Sequence, residues 1–179
     1  MTPFYRTFVA VTPPEEVLDR MAGWAAQLRP LAPYKWVSRA QFHVTLRFLG
    51  EAPLAQVDAL AESLGALKAA AFEMSLDRFG GFPDLQRPRV LWLGGTTGAK
   101  DLADLAAKVE EVAVRSGFPP ETKKFNAHLT LARTRDALPL KTLPAVPAFK
   151  WRVSRFFLVQ SELTPGGPIY TPLREYSLR

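Results

Sequence analysis

The chain contains two histidines, and each begins the same four-residue pattern. The first copy is His43-Val44-Thr45-Leu46, and the second copy, in the other half of the chain, is His128-Leu129-Thr130-Leu131. Side chains two positions apart on a β-strand project from the same face, so each copy presents an imidazole beside a hydroxyl. A duplicated unit can place its copies about a pseudo-twofold axis. Both pairs could then face one cleft from opposite sides.

Two imidazoles and two hydroxyls around one cleft suit the cleavage of a phosphodiester. Displacement at phosphorus needs a base that takes a proton from the attacking oxygen and an acid that gives one to the leaving oxygen. Histidine can do either, because its unperturbed pKa of about 6.5 lies near neutral pH, and each transfer contributes about 10²–10⁴-fold in rate. The threonine hydroxyls can donate hydrogen bonds to the non-bridging oxygens. By this reasoning the two histidines could exchange roles.

Two other interpretations of the pattern are weaker. A single copy would more often be a half-buried structural histidine that is bonded to a neighbour. Here both histidines share the pattern and its predicted context, which favours catalysis. Two histidines without a third ligand at a short fixed spacing do not make a zinc site, and the chain has no cysteine to hold zinc or an iron–sulfur cluster. We therefore expect neither a metal nor a cofactor.

The segments around the two patterns alternate between predicted strands and predicted helices. Prolines and glycines separate these segments, and we expect a turn at residues 80–83 and a final hairpin closed by residues 164–168. The predicted strands are residues 7–11, 42–49, 72–79, 89–93, 128–133, 151–163 and 170–178. The predicted helices are residues 54–67 and two segments with apolar stripes, Val17, Met21, Trp24 and Leu28 in one and Leu102, Leu105, Val109 and Val112 in the other.

Length and charge limit the class of protein. The 179 residues predict one domain, residues 1–179, that can bury a substantial core. A net charge of +6 permits an anionic partner such as nucleic acid, although many basic proteins bind none. No run approaches the roughly 20 apolar residues that span a bilayer, and the N-terminal residues lead into a strand rather than a signal peptide. We expect a cytoplasmic protein that does not bind membranes.

The paired patterns resemble those of the two-histidine phosphoesterase superfamily, and within it those of the RNA 2′,3′-cyclic phosphodiesterases, also called 2′-5′ RNA ligases. The resemblance runs nearly from end to end. One departure is Ala127, where the family usually has proline before the second histidine. The matching segments are residues 6–11, 42–50, 89–94, 128–133, 161–163 and 167–170.

The resemblance implies a bilobal α+β fold, in which two duplicated lobes, each an antiparallel sheet with outer helices, enclose a central cleft. It also implies hydrolysis of a terminal 2′,3′-cyclic phosphate of RNA to a 2′-phosphomonoester, with possible ATP-independent 2′-5′ ligation. His43 would be the proton donor and His128 the proton acceptor, while Thr45 and Thr130 hold the phosphate. The expected substrates are the ends of tRNA or other small RNA fragments, and the expected state is a monomer with no obligatory protein partner.

Arg133 matches a family arginine and could bind the substrate phosphate through two parallel bonds. It lies five positions after His128, so in an ideal strand it faces the opposite side and needs a bulge or its own length to reach the cleft. Other basic and aromatic residues could contact RNA. A basic residue is, however, more often a solvated surface charge, and an aromatic residue is more often buried in the core. These are Lys123, Lys124, Arg135, Arg152 and Arg155, and the aromatic residues Phe8, Trp36 and Phe42.

Two alternatives to RNA-end hydrolysis stay open at this point. The same chemistry could act on small cyclic nucleotide metabolites, although the basic charge favours RNA modestly. A non-catalytic module that binds RNA ends is the other alternative. It is disfavoured because all four polar residues of the two patterns are present.

Overall fold

The computed structural model describes residues 3–137, 139–140 and 142–179. Within these residues the chain forms ten strands and three α-helices. The helices are α1 (Glu15–Leu28), α2 (Leu54–Gly65) and α3 (Ala99–Arg115). The strands are β1 (Phe4–Val11), β2 (Lys35–Trp36), β3 (Val44–Pro53), β4 (Phe72–Leu76), β5 (Arg78–Phe82), β6 (Val90–Gly94), β7 (Leu129–Arg133), β8 (Phe149–Val153), β9 (Arg155–Thr164) and β10 (Gly167–Ser177).

The strands form one large antiparallel sheet and one small one. The large sheet has the order β10-β9-β1-β3-β7-β6-β5, and β2 pairs with β7. The small sheet consists of β4 and β8. In the large sheet, the strands that follow the two histidines, β3 and β7, are neighbours at the centre.

The large sheet has two halves, which are the lobes of the molecule. Strands β10, β9, β1 and β3 form one lobe, and β7, β6, β5 and β2 form the other. The lobes meet where β3 and β7 pair through Val44 and Leu129, which directly follow the two histidines. The expected α+β fold with two duplicated lobes is confirmed, and its centre coincides with the repeated pattern.

The helices cover the sheets with the apolar stripes that the sequence predicts. In α3 the residues Leu102, Leu105, Val109 and Val112 are all buried, and the helix packs on β3. Helix α2 packs on β1 and β3, and α1 packs on β8. Burial of each large apolar side chain contributes about 1.5–3 kcal/mol, so α2 and α3 hold β3, the strand that follows His43. No helix in the described part of the chain is both long and apolar enough to cross a membrane.

The predicted strand 151–163 is wrong as a single element. The chain forms β8 up to Val153 and β9 from Arg155, with Ser154 between them. The two strands belong to different sheets, since β8 pairs with β4 and β9 pairs with β1 and β10. A continuous apolar run does not show where a strand leaves one sheet for another, because that depends on the partner strands.

The turn predicted at residues 80–83 is also wrong, because Gly80 and Gly81 lie within β5 and pair with β6. The predicted strand 72–79 ends at Leu76. Gly80 is required here by close packing: a Cβ atom at this position would lie 2.1 Å from the Trp92 ring. Gly80 therefore marks a place where an indole lies on the backbone, not a change of chain direction.

Candidate active site

His43 lies directly before β3, and its ring is held on several sides. Its Nδ1 lies 2.7 Å from the carbonyl oxygen of Gln41, and its Nε2 lies 3.1 Å from the hydroxyl oxygen of Thr45. Because a carbonyl only accepts, Nδ1 carries the proton and Nε2 of the neutral ring accepts from the hydroxyl. The rings of Phe8 and Tyr170 lie against the imidazole, with centroids at 4.8 and 5.2 Å. These contacts fix the tautomer and the ring orientation.

His128 lies directly before β7 and is held in a corresponding way. Its Nδ1 donates to the carbonyl oxygen of Asn126 at 2.8 Å, again two residues earlier. The rings of Phe82 and Trp92 flank it, with centroids at 5.0 and 5.8 Å. Each histidine thus uses Nδ1 for the protein backbone and keeps Nε2 for hydrogen bonds on the other side of the ring.

Both histidines and both threonines line one cavity of about 470 Å³. The cavity lies over the junction of the two lobes. Three basic side chains, Arg6, Lys35 and Arg133, also line it, and the described lining includes no aspartate or glutamate. A cavity of this composition favours an anionic ligand. Its polar and charged lining residues are Arg6, Lys35, Gln41, His43, Thr45, His128, Thr130, Arg133, Ser161 and Tyr170.

Arg133 lines the same cavity because β7 contains a bulge. Between Thr130 and Ala132, which pair with consecutive residues of β6, the strand has one extra residue, Leu131. A bulge shifts the alternation of side chains by one position. Arg133 therefore projects from the same face as His128, although their spacing is odd.

The arrangement has counterparts among known proteins. A family model described as LigT-like phosphoesterase matches the chain over residues 11–92 and 95–170. The chain is 37% identical to the RNA 2′,3′-cyclic phosphodiesterase of Aeropyrum pernix, over 87% of this chain and 95% of that protein. It is 39% identical to the protein of the same name from Thermus thermophilus, over 97% and 90% of the two chains.

A solved structure shows the same fold. The crystal structure of Escherichia coli LigT in complex with 3′-AMP superposes with a TM-score of 0.86 and 31% identity, over 98% of this chain and 99% of that one. The chain belongs to the LigT-like phosphoesterase family. Each of the two segments that match the family contains one His-x-Thr pair.

In this LigT-like phosphoesterase the pKa values of both histidines are lowered. Burial lowers the pKa of His43 from 6.5 to about 4, and the positive charges of His128 and Arg133 add to this, while the bond to the Gln41 carbonyl opposes it. Burial and Arg133 also lower the pKa of His128, against the bond to the carbonyl of Asn126. Both rings of the free protein are therefore neutral at pH 7, and a bound anion would favour their protonation.

The other candidates from the sequence occupy different places. Phe8 and Trp36 line the cavity, whereas Phe42 is buried in the core. Lys123 and Lys124 lie beside an adjoining groove that also includes Thr45 and His128.

The remaining basic candidates are outside both the cavity and this groove. Arg135 is exposed. Arg152 pairs with Glu73 at 3.5 Å, and Arg155 pairs with Glu175 at 3.3 Å. Their charges are thus on the outer surface of the LigT-like phosphoesterase.

Five polar or charged residues of the cavity were not among the sequence candidates: Arg6, Lys35, Gln41, Ser161 and Tyr170. Arg6 could have been found, since it directly precedes the predicted strand 7–11 and lies two positions before Phe8. Tyr170 could not, because its contact with His43 depends on the register of the β9–β10 hairpin. As for metals, residues 3–137, 139–140 and 142–179 hold no cluster of three or more potential ligand side chains.

Proposed function

We propose that this chain is an RNA 2′,3′-cyclic phosphodiesterase, which hydrolyses the terminal cyclic phosphate to a 2′-phosphomonoester without a metal ion. The observation that carries the proposal is the pair of oriented imidazoles, each beside a hydroxyl, in one cavity lined by cations. The names of the related proteins from Aeropyrum pernix and Thermus thermophilus support the same substrate. Escherichia coli LigT was crystallised as a complex with 3′-AMP, which supports a nucleotide as the ligand of this cavity.

In the proposed reaction His128 is the base and His43 is the acid. The unprotonated Nε2 of His128 takes a proton from water as the water oxygen attacks phosphorus. The bond between phosphorus and O3′ breaks, and protonated His43 gives its proton to O3′. The products are a 2′-phosphate and a free 3′-hydroxyl, and the two histidines exchange one proton with solvent to return to their starting states. Each transfer contributes about 10²–10⁴-fold.

The assignment of acid and base rests on the family resemblance. Both rings donate Nδ1–H to the carbonyl two residues earlier, so the hydrogen bonds alone allow the roles to be exchanged. His43 has a pKa of about 4 in the free protein, so it has to gain its proton when the anionic substrate binds. A phosphate close to the ring favours the imidazolium form, because opposite charges within about 4–6 Å stabilise each other.

Thr45, Thr130 and Arg133 bind the phosphate in this proposal. The Thr45 hydroxyl, which bonds to His43 in the free protein, turns to a non-bridging oxygen when His43 is protonated. The guanidinium of Arg133 can form two parallel bonds to phosphate oxygens. These donors stabilise the negative charge that grows in the transition state.

Ligation follows from the same geometry with another nucleophile. If the hydroxyl of a second RNA attacks phosphorus in place of water, a 2′-5′ bond forms without ATP. Which reaction dominates depends on whether water or the RNA hydroxyl is better positioned. We propose hydrolysis as the main activity, by a monomeric two-lobed domain in the cytoplasm that acts on the ends of tRNA or other small RNA fragments.

A direct assay tests the proposal. A short RNA that ends in a 2′,3′-cyclic phosphate is incubated with the protein in EDTA, and ADP-ribose 1″,2″-cyclic phosphate is incubated in parallel. We expect a 2′-phosphate product from the RNA and slower turnover of the small metabolite. Binding of the RNA without turnover would instead indicate a non-catalytic module, and faster turnover of the metabolite would indicate the alternative substrate class.

A further inference from the structure

Arg6 lies in the cavity beyond the reacting groups of the proposed mechanism. It precedes Phe8 by two positions on β1, so the two side chains project from the same face about 6.6 Å apart. The Phe8 ring contacts the His43 imidazole. On this face of the sheet the Phe8 ring is therefore a neighbour of both the His43 imidazole and the Arg6 side chain.

The Arg6 side chain is held in place without a carboxylate. Its guanidinium carbon lies 4.6 Å from the centre of the Phe48 ring, and its Nε is buried without a hydrogen-bond partner. The residue opposite it on β3 is Glu51, but no ion pair joins them among the described residues. By contrast, Arg47 and Arg174 both pair with glutamates. A partly buried cation that forms no ion pair is costly, and a bound anion would offset that cost.

Arg133 and Arg6 differ in whether their charges reach the two histidines. The charge of Arg133 lowers the pKa of both histidines, which places it near the scissile phosphate of the proposed reaction. Burial raises the pKa of Tyr170; Arg133 and, to a smaller extent, Arg6 oppose this rise, and Arg6 does not contribute to the shift of either histidine. A cyclic phosphodiester carries one negative charge, which Arg133 and the threonines can bind. Arg6 is thus available for a second anion.

We propose that Arg6, supported by Phe48, binds the phosphodiester that joins the terminal nucleotide to the rest of the RNA. The cavity would then select the ends of oligonucleotides over cyclic mononucleotides. This inference rests on the proposed hydrolysis and specifies its substrate.

Two substrates that differ by one nucleotide test the inference. The values of kcat/KM for adenosine 2′,3′-cyclic phosphate and for the dinucleotide ApA with a terminal 2′,3′-cyclic phosphate are measured for the wild type and for Arg6→Gln. We expect Arg6→Gln to lower the value for the dinucleotide by about 10–100-fold, as for the loss of a charged hydrogen bond, and to change that for the mononucleotide less than about 2-fold. Arg133→Gln should lower both.

Arg20→Gln is a matched control, because Arg20 also lies over an aromatic ring, that of Phe149, but outside the cavity. It should leave both rates unchanged. If Arg6→Gln lowers kcat/KM equally for both substrates, or does not lower it for the dinucleotide, the inference is overturned while the proposed hydrolysis stands. The dissociation constants of the products, ApA 2′-phosphate and 2′-AMP, give a reading without turnover: only the dinucleotide should bind Arg6→Gln more weakly. A wild type that cleaves neither substrate would refute the proposed function itself.

Discussion

Replacing His43 by glutamine should remove a pH dependence from the stability of the fold. The pKa of His43 is about 4 in the folded protein, because burial disfavours the charged ring, and 6.5 is its ordinary value. Between these values the unfolded chain takes up a proton at this residue and the folded chain does not. The contribution of His43 to stability is therefore fully present above pH 6.5 and is lost as the pH falls toward 4.

The expected size follows from the two pKa values. When the pH falls from 7.5 to 5, protonation of this one group raises the equilibrium constant for unfolding about 30-fold. This corresponds to a loss of about 2 kcal/mol in the free energy of unfolding. The free energy of unfolding of the wild type should fall by this amount relative to that of His43→Gln. His128 and the carboxylates titrate in both chains, so their effects cancel in the comparison.

The measurement is urea unfolding of the wild type and of His43→Gln at pH 7.5 and pH 5. The difference between the two free energies of unfolding should shift by about 2 kcal/mol in favour of the variant at the lower pH. An NMR titration of the imidazole of the wild type should show the midpoint of His43 near pH 4. A difference that stays the same at both pH values, or a midpoint near 6.5, would refute the conclusion that burial lowers this pKa.

Further predictions concern catalysis and packing. His43→Ala and His128→Ala should each lower the hydrolysis rate at least about 10²-fold while the circular dichroism spectrum of the fold is retained, and EDTA should not affect the wild type; a variant that keeps more than about a tenth of the rate would contradict the paired mechanism. A nitrophenyl diester, whose leaving group needs no proton, should rescue His43→Ala but not His128→Ala in steady-state assays, and the reverse would exchange their roles. Gly80→Ala should destabilise the fold by about 1–3 kcal/mol in urea unfolding, since its Cβ would lie 2.1 Å from the Trp92 ring. An unchanged free energy of unfolding would show that the indole moves freely. Arg47→Met should lower the free energy of unfolding by about 2–3 kcal/mol in the same assay, because it removes the buried hydrogen bond to the carbonyl of the next residue and an ion pair. A loss below about 0.5 kcal/mol would count against this role of Arg47.

Much of the fold could be predicted from short-range patterns. The helical stripe from Leu102 to Val112 is local, and burial of its four residues follows from helix geometry alone. The strand after each histidine is local in the same sense, since alternation places His43 and Thr45 on one face.

What could not be predicted depends on contacts between distant segments. The bulge at Leu131 exists only relative to the register of β6, and it decides that Arg133 reaches the cavity. The break at Ser154 reflects a change of sheet, and the position of Gly80 within a strand reflects the indole that covers it. In each case the sequence shows the residue but not its partner, because register is set by the whole sheet. The roles of the five site residues stay predictions until the variants are measured.

The pairing of Val44 with Leu129 also has a mechanical meaning. The lobes adjoin at these residues, and the two histidines are their immediate neighbours in the chain. If one lobe rotates against the other about this joint, displacement grows with distance from it, so the outer strands β10 and β5 move most and the imidazoles move least. Because the two rings lie close to this joint, a rotation that displaces the outer strands changes the distance between the rings little. Loops and edges of the lobes can therefore change in length or shape while the distance between the two imidazoles is preserved.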